Sequence, residues 1–224
     1  MNIVLVILLG MHVIGDFYLQ PDAIAGQKRT RYSGILLHAL LYAIPFLPLL
    51  LVSGWFPFAL LVGSHLLVDT LKFPFASKAY KPEWVFAVDQ GLHVAMLVWV
   101  SRFVTMEVAV VDTYGGHIRI AVYALMILKP VSVMFQVLFS RFRPALPLSG
   151  IEGAGKTIGY LERLVLAILL VINQVAAIGW VIAAKAFARS RQLSESAEFC
   201  EYFLVGTLVS VLSVIVLHQV LFVV

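Results

Sequence analysis

Four histidines and three aspartates recur at helical spacings inside stretches that otherwise read as membrane-spanning, and this restricts the possible folds more than any other feature. They are His12-x-x-x-Asp16, His38, His65-x-x-x-Asp69 and Asp89-x-x-x-His93. Three of these are i,i+4 pairs, which place both side chains on one helix face, roughly 5–6 Å apart. An ionisable group at the centre of a bilayer costs about 2.5–3.5 kcal/mol even on the lenient insertion scale. Several of them together need compensation from a metal or from one another, and the pattern predicts an intramembrane metal site.

The apolar background supports that setting. Of 224 residues, 62% are hydrophobic and 12% charged, and the mean hydropathy is +0.99, which excludes a soluble domain of ordinary composition. The net charge of +4 does not point to nucleic acid, because the basic residues are scattered through short loops, where they set membrane orientation. The single cysteine, Cys200, forms no internal disulfide. The apolar run Ile3 to Leu9, with Ala23-Ile24-Ala25 further on, resembles a signal peptide. It lacks a charged leading region, and His12 and Asp16 interrupt it, so it reads as an uncleaved first span.

A bilayer core asks for about 20 mainly apolar residues per helix. On that basis the chain is expected to be an all-α polytopic bundle of seven spans, near Asn2–Gln20, Ser33–Ser53, Trp55–Leu71, Trp84–Thr105, Arg119–Phe139, Ile158–Ala188 and Tyr202–Val224. It forms one transmembrane domain over residues 1–224. Residues 1–111 supply four metal-site helices, and residues 112–224 supply three helices of scaffold and phosphate contacts. Ser53-Gly54-Trp55, with Pro57 following, reads as a tight hairpin, and Pro130 as a kink in the fifth span.

Alternating spans bring all seven His and Asp residues to a similar depth, near the side where the first span ends. Hydrophobicity alone requires no such coincidence. That side also receives the basic loops: Lys28, Arg29 and Arg31, then Lys72, Lys78 and Lys81, then Arg141, Arg143 and Lys156. The other side has Arg102, Arg119, Lys185, Arg189 and Arg191, the last three as outer-end anchors. The positive-inside rule then puts the N-terminus outside and the C-terminus in the cytoplasm.

Imidazole and carboxylate donors without thiolates suit Zn, Mn or Fe, with Zn foremost. Seven candidates, His12, Asp16, His38, His65, Asp69, Asp89 and His93, exceed one tetrahedral ion. Either two ions are held, or one ion takes three or four donors and the others orient them. Such an ion would activate a water for hydrolysis, with an uncoordinated carboxylate, Asp89 or Glu162, as acid or base. Gln20 and Gln90 lie at the same level as possible partners of the substrate or the donors. Rival readings are His–Asp pairs that only tie helices together and a proton or cation relay.

Gly150 to Thr157 matches G-x-x-x-x-G-K-[ST], but no strand precedes it and a membrane helix follows, so a nucleotide-binding loop is rejected. A helix start beside Lys156 still favours an anion such as a lipid phosphate. Arg163, one turn further in, is expected either to neutralise that phosphate or to pair with a neighbouring helix. Asn173 and Gln174 read as mid-membrane helix-to-helix hydrogen bonds. His117 and His218 receive no chemical role.

With these residues in place, the chain resembles the bacterial membrane family catalogued as domain of unknown function 3307. The resemblance rests on His12-Val-Ile-Gly-Asp16-Phe with Gln20, His38, Ser64-His65-Leu-Leu-Val-Asp69, Asp89-Gln90-Gly-Leu-His93 and the later Gly155-Lys156-x-Ile158-Gly159-x-Leu161-Glu162-Arg163. More distantly the chain is similar to predicted membrane-bound metal-dependent hydrolases. The resemblance implies a bacterial inner-membrane protein with a metal site. The expected activity is hydrolysis of a membrane lipid or lipid-like substrate, a phosphoester before an amide or ester, at the cytoplasmic leaflet. A metal or proton transporter using the same cluster is the alternative, and a regulatory or assembly subunit with a structural metal is the third reading.

Overall fold

A computed structural model describes residues 1–28, 30–76, 82–105, 108–142 and 153–223. Arg29, Lys78, Lys81, Arg143 and the first three residues of the Gly150–Thr157 pattern lie outside the described residues. The chain divides into two compact units, Met1–Leu125 and Met126–Val224, and no strand occurs among the described residues.

In the first unit α1 (Ile3–Val13) starts where the Asn2 side chain accepts from the Val4 N–H at 3.0 Å, then widens into a π-helical turn over Ile14–Tyr18. There follow α2 (Asp22–Lys28), α3 (Tyr32–Ala43), the short α4 (Leu49–Val52), α5 (Trp55–Ala76), α6 (Pro82–Val100) and α7 (Val108–Ile127), which ends at the boundary. Gly54, with φ of +78°, turns α4 into α5, a conformation that a side chain resists. Leu8, Leu9, Tyr42, Phe46, Leu61, Leu97 and Val100 pack into one buried cluster that joins α1, α3, α5 and α6. A Cβ on Gly34 would lie 2.6 Å from the backbone of Gln27 and Lys28. Only glycine therefore lets α3 approach α2 so closely, and that approach fixes where Lys28 begins its reach.

The second unit holds α8 (Lys129–Leu138), α9 (Ala154–Val171), α10 (Val175–Ala188), α11 (Ser190–Glu195) and α12 (Ala197–His218), the last continued by a π-helical turn. The apolar stretch read as one long sixth span is in fact two helices. Asn173 takes φ of +58° between α9 and α10, and Lys185 Nζ reaches Glu162 Oε2 at 2.6 Å. On a continuous helix those residues would stand about 34 Å apart, so the chain reverses at Ile172–Gln174. Asparagine tolerates the left-handed region because its short amide bonds locally. This corrects two expectations: Asn173 and Gln174 form the reversal and the start of α10, and Lys185 sits beside Glu162, midway along α9, instead of anchoring the opposite end.

Pro130 interrupts the expected fifth span as predicted, with the helix broken at Leu128 between α7 and α8. The break frees carbonyls that a buried membrane helix must satisfy. Arg163 does so. Its Nε donates to the Ile127 carbonyl, and its Nη2 donates to the Leu128 carbonyl at 3.3 Å and to Ser132 Oγ at 2.6 Å. Nη1 donates to Ser210 Oγ at 3.4 Å, and the residue is 4% exposed. The expectation that Arg163 meets a phosphate is therefore corrected, because its guanidinium is already engaged along both edges.

Three helices are long and apolar enough to cross a membrane, Trp55–Phe75, Thr113–Leu138 and Ala197–Val223, and Ile3–Tyr18, Tyr32–Phe46 and Val175–Ala188 are shorter apolar helices. If Arg163 holds the break at Leu128, Arg163→Met should cost about 2–4 kcal/mol in unfolding free energy, since two buried carbonyls lose their donors. Arg163→Lys should recover less than half of that loss, because one ammonium cannot imitate the fork. Denaturant unfolding in detergent measures both, and a neutral Arg163→Met would contradict the assignment.

Candidate metal centre

Four helices of the first unit deliver the parts of a buried donor cluster. α1 carries His12, its π-helical turn carries Asp16, α3 carries His38, α5 carries His65 and Asp69, and α6 carries Asp89, Gln90 and His93. His12, His38, His65, Asp69, Asp89 and His93 are each no more than 6% exposed. The structure brings all seven sequence-predicted donors into one connected group.

Four donor atoms lie closest. His38 Nε2 stands 3.1 Å from Asp16 Oδ1, 3.0 Å from His65 Nε2 and 3.6 Å from Asp69 Oδ2, and His65 Nε2 stands 3.4 Å from the same Asp69 oxygen. Ligand atoms around a tetrahedral Zn²⁺ with bonds of about 2.0–2.2 Å are about 3.3–3.6 Å apart. The observed spacings bracket that edge. Two imidazole nitrogens at 3.0 Å share at most one proton between them, and a proton there serves one neighbour at a time. A cation would serve them all.

Two triads have donor atoms that all lie within 4.8 Å of one another: Asp16, His38 and His65, and then His65, Asp69 and His93. They share His65. His93 Nδ1 donates to the Asp89 carbonyl at 2.8 Å, so its Nε2 keeps a bare lone pair, and that atom is buried without a partner. His12 Nδ1 lies 3.2 Å from the Tyr42 hydroxyl, and its Nε2 is likewise buried and unpartnered. The His12 and His93 rings stack at 5.5 Å, and Tyr42 lies flat on His65 with ring centroids 3.5 Å apart. Hydrogen bonds on the far nitrogens orient imidazoles toward a metal; His12 and His93 have them, whereas Nδ1 of His38 and of His65 is buried without a partner among the described residues. By donor type, spacing and orphaned nitrogens the residues fit a divalent cation.

The carboxylates are neutralised unevenly. Lys28 Nζ meets Asp69 Oδ2 at 2.6 Å, and Lys72 Nζ meets Asp89 Oδ2 at 2.6 Å. Asp16 has only hydrogen bonds, from His38 and from Gln90 Nε2 at 2.9 Å. Gln90 also reaches Asp89 at 3.3 Å, so it bridges two of the three carboxylates. With neutral imidazoles, three carboxylates face two ammonium groups and the cluster retains one negative charge.

The i,i+4 pairs behave differently from one another. His65 and Asp69 stay together, whereas Asp16 turns from His12 to His38 because the helix widens there by one residue per turn. Such π-helical turns recur at functional sites. Asp89 keeps only a 3.8 Å approach to His93 and belongs instead to Lys72. Gln20, past the wide turn, has no hydrogen bond to the cluster. Lys156 is exposed on α9 over the Tyr160 ring, and Glu162 pairs with Lys185 in the second unit. Sequence reasoning left Tyr42, Lys28 and Lys72 out of the site. Tyr42 had a signal, since it follows His38 by one helical turn, whereas nothing in the spacing of the lysines announced their partners.

Residues 4–117 match the family model described as "Protein of unknown function (DUF3307)". The match covers every donor named above. No curated protein and no solved structure matches the chain, and none of these comparisons carries the likeness to metal-dependent hydrolases.

Gly15 is the point at which the wide turn touches α3. A Cβ there would lie 2.9 Å from the Tyr42 ring and 3.2 Å from its backbone. Gly15→Ala should therefore destabilise the unit by about 1–3 kcal/mol through overpacking, and should lower metal retention by displacing Tyr42 from His12 and His65. Thermal unfolding and bound-metal analysis of the same preparation check the two effects together.

Proposed function

We propose that this chain, which belongs to that family, is a multi-pass protein of the bacterial inner membrane whose first unit holds a divalent cation and hydrolyses a lipid-borne phosphoester. The observation that carries the reading is the convergence of six imidazole and carboxylate donors with orphaned nitrogens and one uncompensated negative charge. Zn²⁺ suits the donors best, with Mn²⁺ or Fe²⁺ next, as one ion or two. When bound, such an ion supplies Lewis acidity and lowers the pKa of a water to about 7.

The residues divide the work. Asp16, His38, His65 and Asp69 hold the ion, while His12 and His93 complete the shell or hold a second ion. Asp89 lies outside both triads and its Oδ1 has no hydrogen-bond partner among the described residues, which supports giving it the proton of an attacking water. The mouth of the cluster is the end where Asp16, Lys28 and Lys72 reach the surface, with side chains 9%, 13% and 27% exposed. With a cation taking over part of the charge of Asp69 and Asp89, the ammonium groups of Lys28 and Lys72 would favour a phosphoester over a neutral lipid amide or ester. They take the role that the sequence suggested for Lys156 and Arg163.

Transport of the ion is the second reading, favoured by one observation: the two triads share His65, so a cation could pass from one to the other. Metal analysis of the detergent-purified chain should give one to two equivalents of a divalent metal, and a His38→Ala/His65→Ala variant should lose nearly all of it. In the same preparation, phosphate release from a phospholipid in mixed micelles should require His65. Absence of metal from both proteins would end the proposal. Metal present without lipid turnover, but with uptake into proteoliposomes, would favour transport.

The membrane setting also suits the exposed surface, on which Leu51 is 92% and Phe187 83% exposed while charged groups lie inside. The α9–α10 reversal changes the expected sidedness. Because α10 runs back along α9, with Lys185 beside Glu162, the basic residues after it move toward the cytoplasmic side, which leaves Arg102 and Arg119 on the other. α12 then leaves the cytoplasm, and the C-terminus lies outside with the N-terminus. A C-terminal alkaline phosphatase fusion should be active and a C-terminal green fluorescent fusion dark; the opposite pair of results would restore a single sixth span.

A further inference from the structure

The second unit contains a cavity of about 1130 Å³ formed by α8, α9, α10, α11 and α12. One part of its wall is apolar, with Phe135, Phe199, Tyr202 and Phe203 prominent. Beside that wall lie Lys156 near the start of α9, Arg189 just past the end of α10, and Glu195 and Glu198 about the start of α12. Glu162 lines the cavity further in, nearly two turns beyond Lys156 on α9. The cavity is therefore amphipathic, with an aromatic wall, a charged rim and a buried carboxylate further in.

Glu162 is the unusual member. It is 8% exposed, its Oε2 is held by Lys185 at 2.6 Å, and Lys185 is fixed in turn by Thr207 at 3.0 Å. Glu162 lines the same cavity, and its Oε1 is buried without a hydrogen-bond partner among the described residues. A buried carboxylate oxygen left bare costs the desolvation of a charged acceptor, and such a group in a native fold calls for a donor. Arg163 cannot supply it, since its guanidinium serves the broken α7–α8 junction. Among the described residues none supplies that donor, and a molecule filling the cavity can.

We propose that this cavity binds a phospholipid whose headgroup carries a primary ammonium, with the ammonium donating to Glu162 Oε1. Its phosphate lies toward Lys156 and Arg189, and an acyl chain runs along the aromatic wall. The charges agree with a zwitterion: Glu162 meets the cation, and the two basic side chains at the rim meet the anion. Among membrane lipids of equal net charge, this site separates a primary amine from a quaternary one, because trimethylation removes every N–H donor without changing the charge. The site is independent of the metal centre and uses none of its residues.

The test is native mass spectrometry of the detergent-purified full chain with equimolar phosphatidylethanolamine and phosphatidylcholine of identical acyl chains. The wild-type protein should retain phosphatidylethanolamine roughly tenfold more than phosphatidylcholine, the scale expected when a charged hydrogen bond is lost. In Glu162→Gln the ratio should fall toward one, while Glu195→Gln at the rim should keep it. Equal retention of both lipids by the wild-type chain would overturn the proposal without reference to any variant. A preference that survives Glu162→Gln in folded protein would overturn the role given to Glu162. Loss of metal from the first unit would alter neither result, so the two proposals fail separately.

Discussion

Burying carboxylates among apolar helices is the constraint on which the first unit depends. Asp16, Asp69 and Asp89 each bring a charge whose removal from water costs several kcal/mol before any partner is found. The chain answers with two lysines, one glutamine and four imidazoles drawn from different helices. Each answer requires a particular backbone approach: Gly34 lets α3 close on α2 so that Lys28 reaches Asp69, and Gly15 lets the wide turn sit on Tyr42. The packing of the unit is thus arranged around its charges, the reverse of a soluble domain in which charges are placed around an apolar core.

Much of this was legible in the sequence. The i,i+4 spacings and the common depth of the seven donors follow from helical periodicity and alternating spans, and the donors do converge. The partners within the cluster were less legible, because a one-residue widening at Ile14–Tyr18 turns Asp16 from His12 toward His38. Hydropathy carries no trace of such a turn. The same limitation hid the reversal at Ile172–Gln174: the apolar runs Leu164–Ile172 and Val175–Ala184 read as one span, and two amides in the middle looked like ordinary helix contacts. Asn173 marks the turn through its backbone conformation, which composition does not encode.

Arg163 illustrates a different kind of illegibility. A basic residue one turn inside a membrane helix, near a glycine-rich approach and Lys156, reads naturally as an anion contact. Its actual task is dictated by Pro130, thirty-three positions earlier, through carbonyls that exist only once the helix has broken. Local sequence cannot join the two, since the demand and the supply arise on separate elements.

The two units treat their buried charges in contrasting ways. In the second, Arg163 is engaged by backbone carbonyls and hydroxyls, and Glu162 is half-satisfied by Lys185, so a single carboxylate oxygen asks for a donor. In the first, the imidazoles of His12 and His93 direct bare nitrogens inward, while His38 and His65 press two nitrogens together at 3.0 Å. A fold seeking only to neutralise three carboxylates would gain nothing from gathering basic nitrogens that repel one another's lone pairs. Their convergence becomes favourable when a cation sits among them, and that is why the chemistry is assigned to the first unit and lipid recognition to the second.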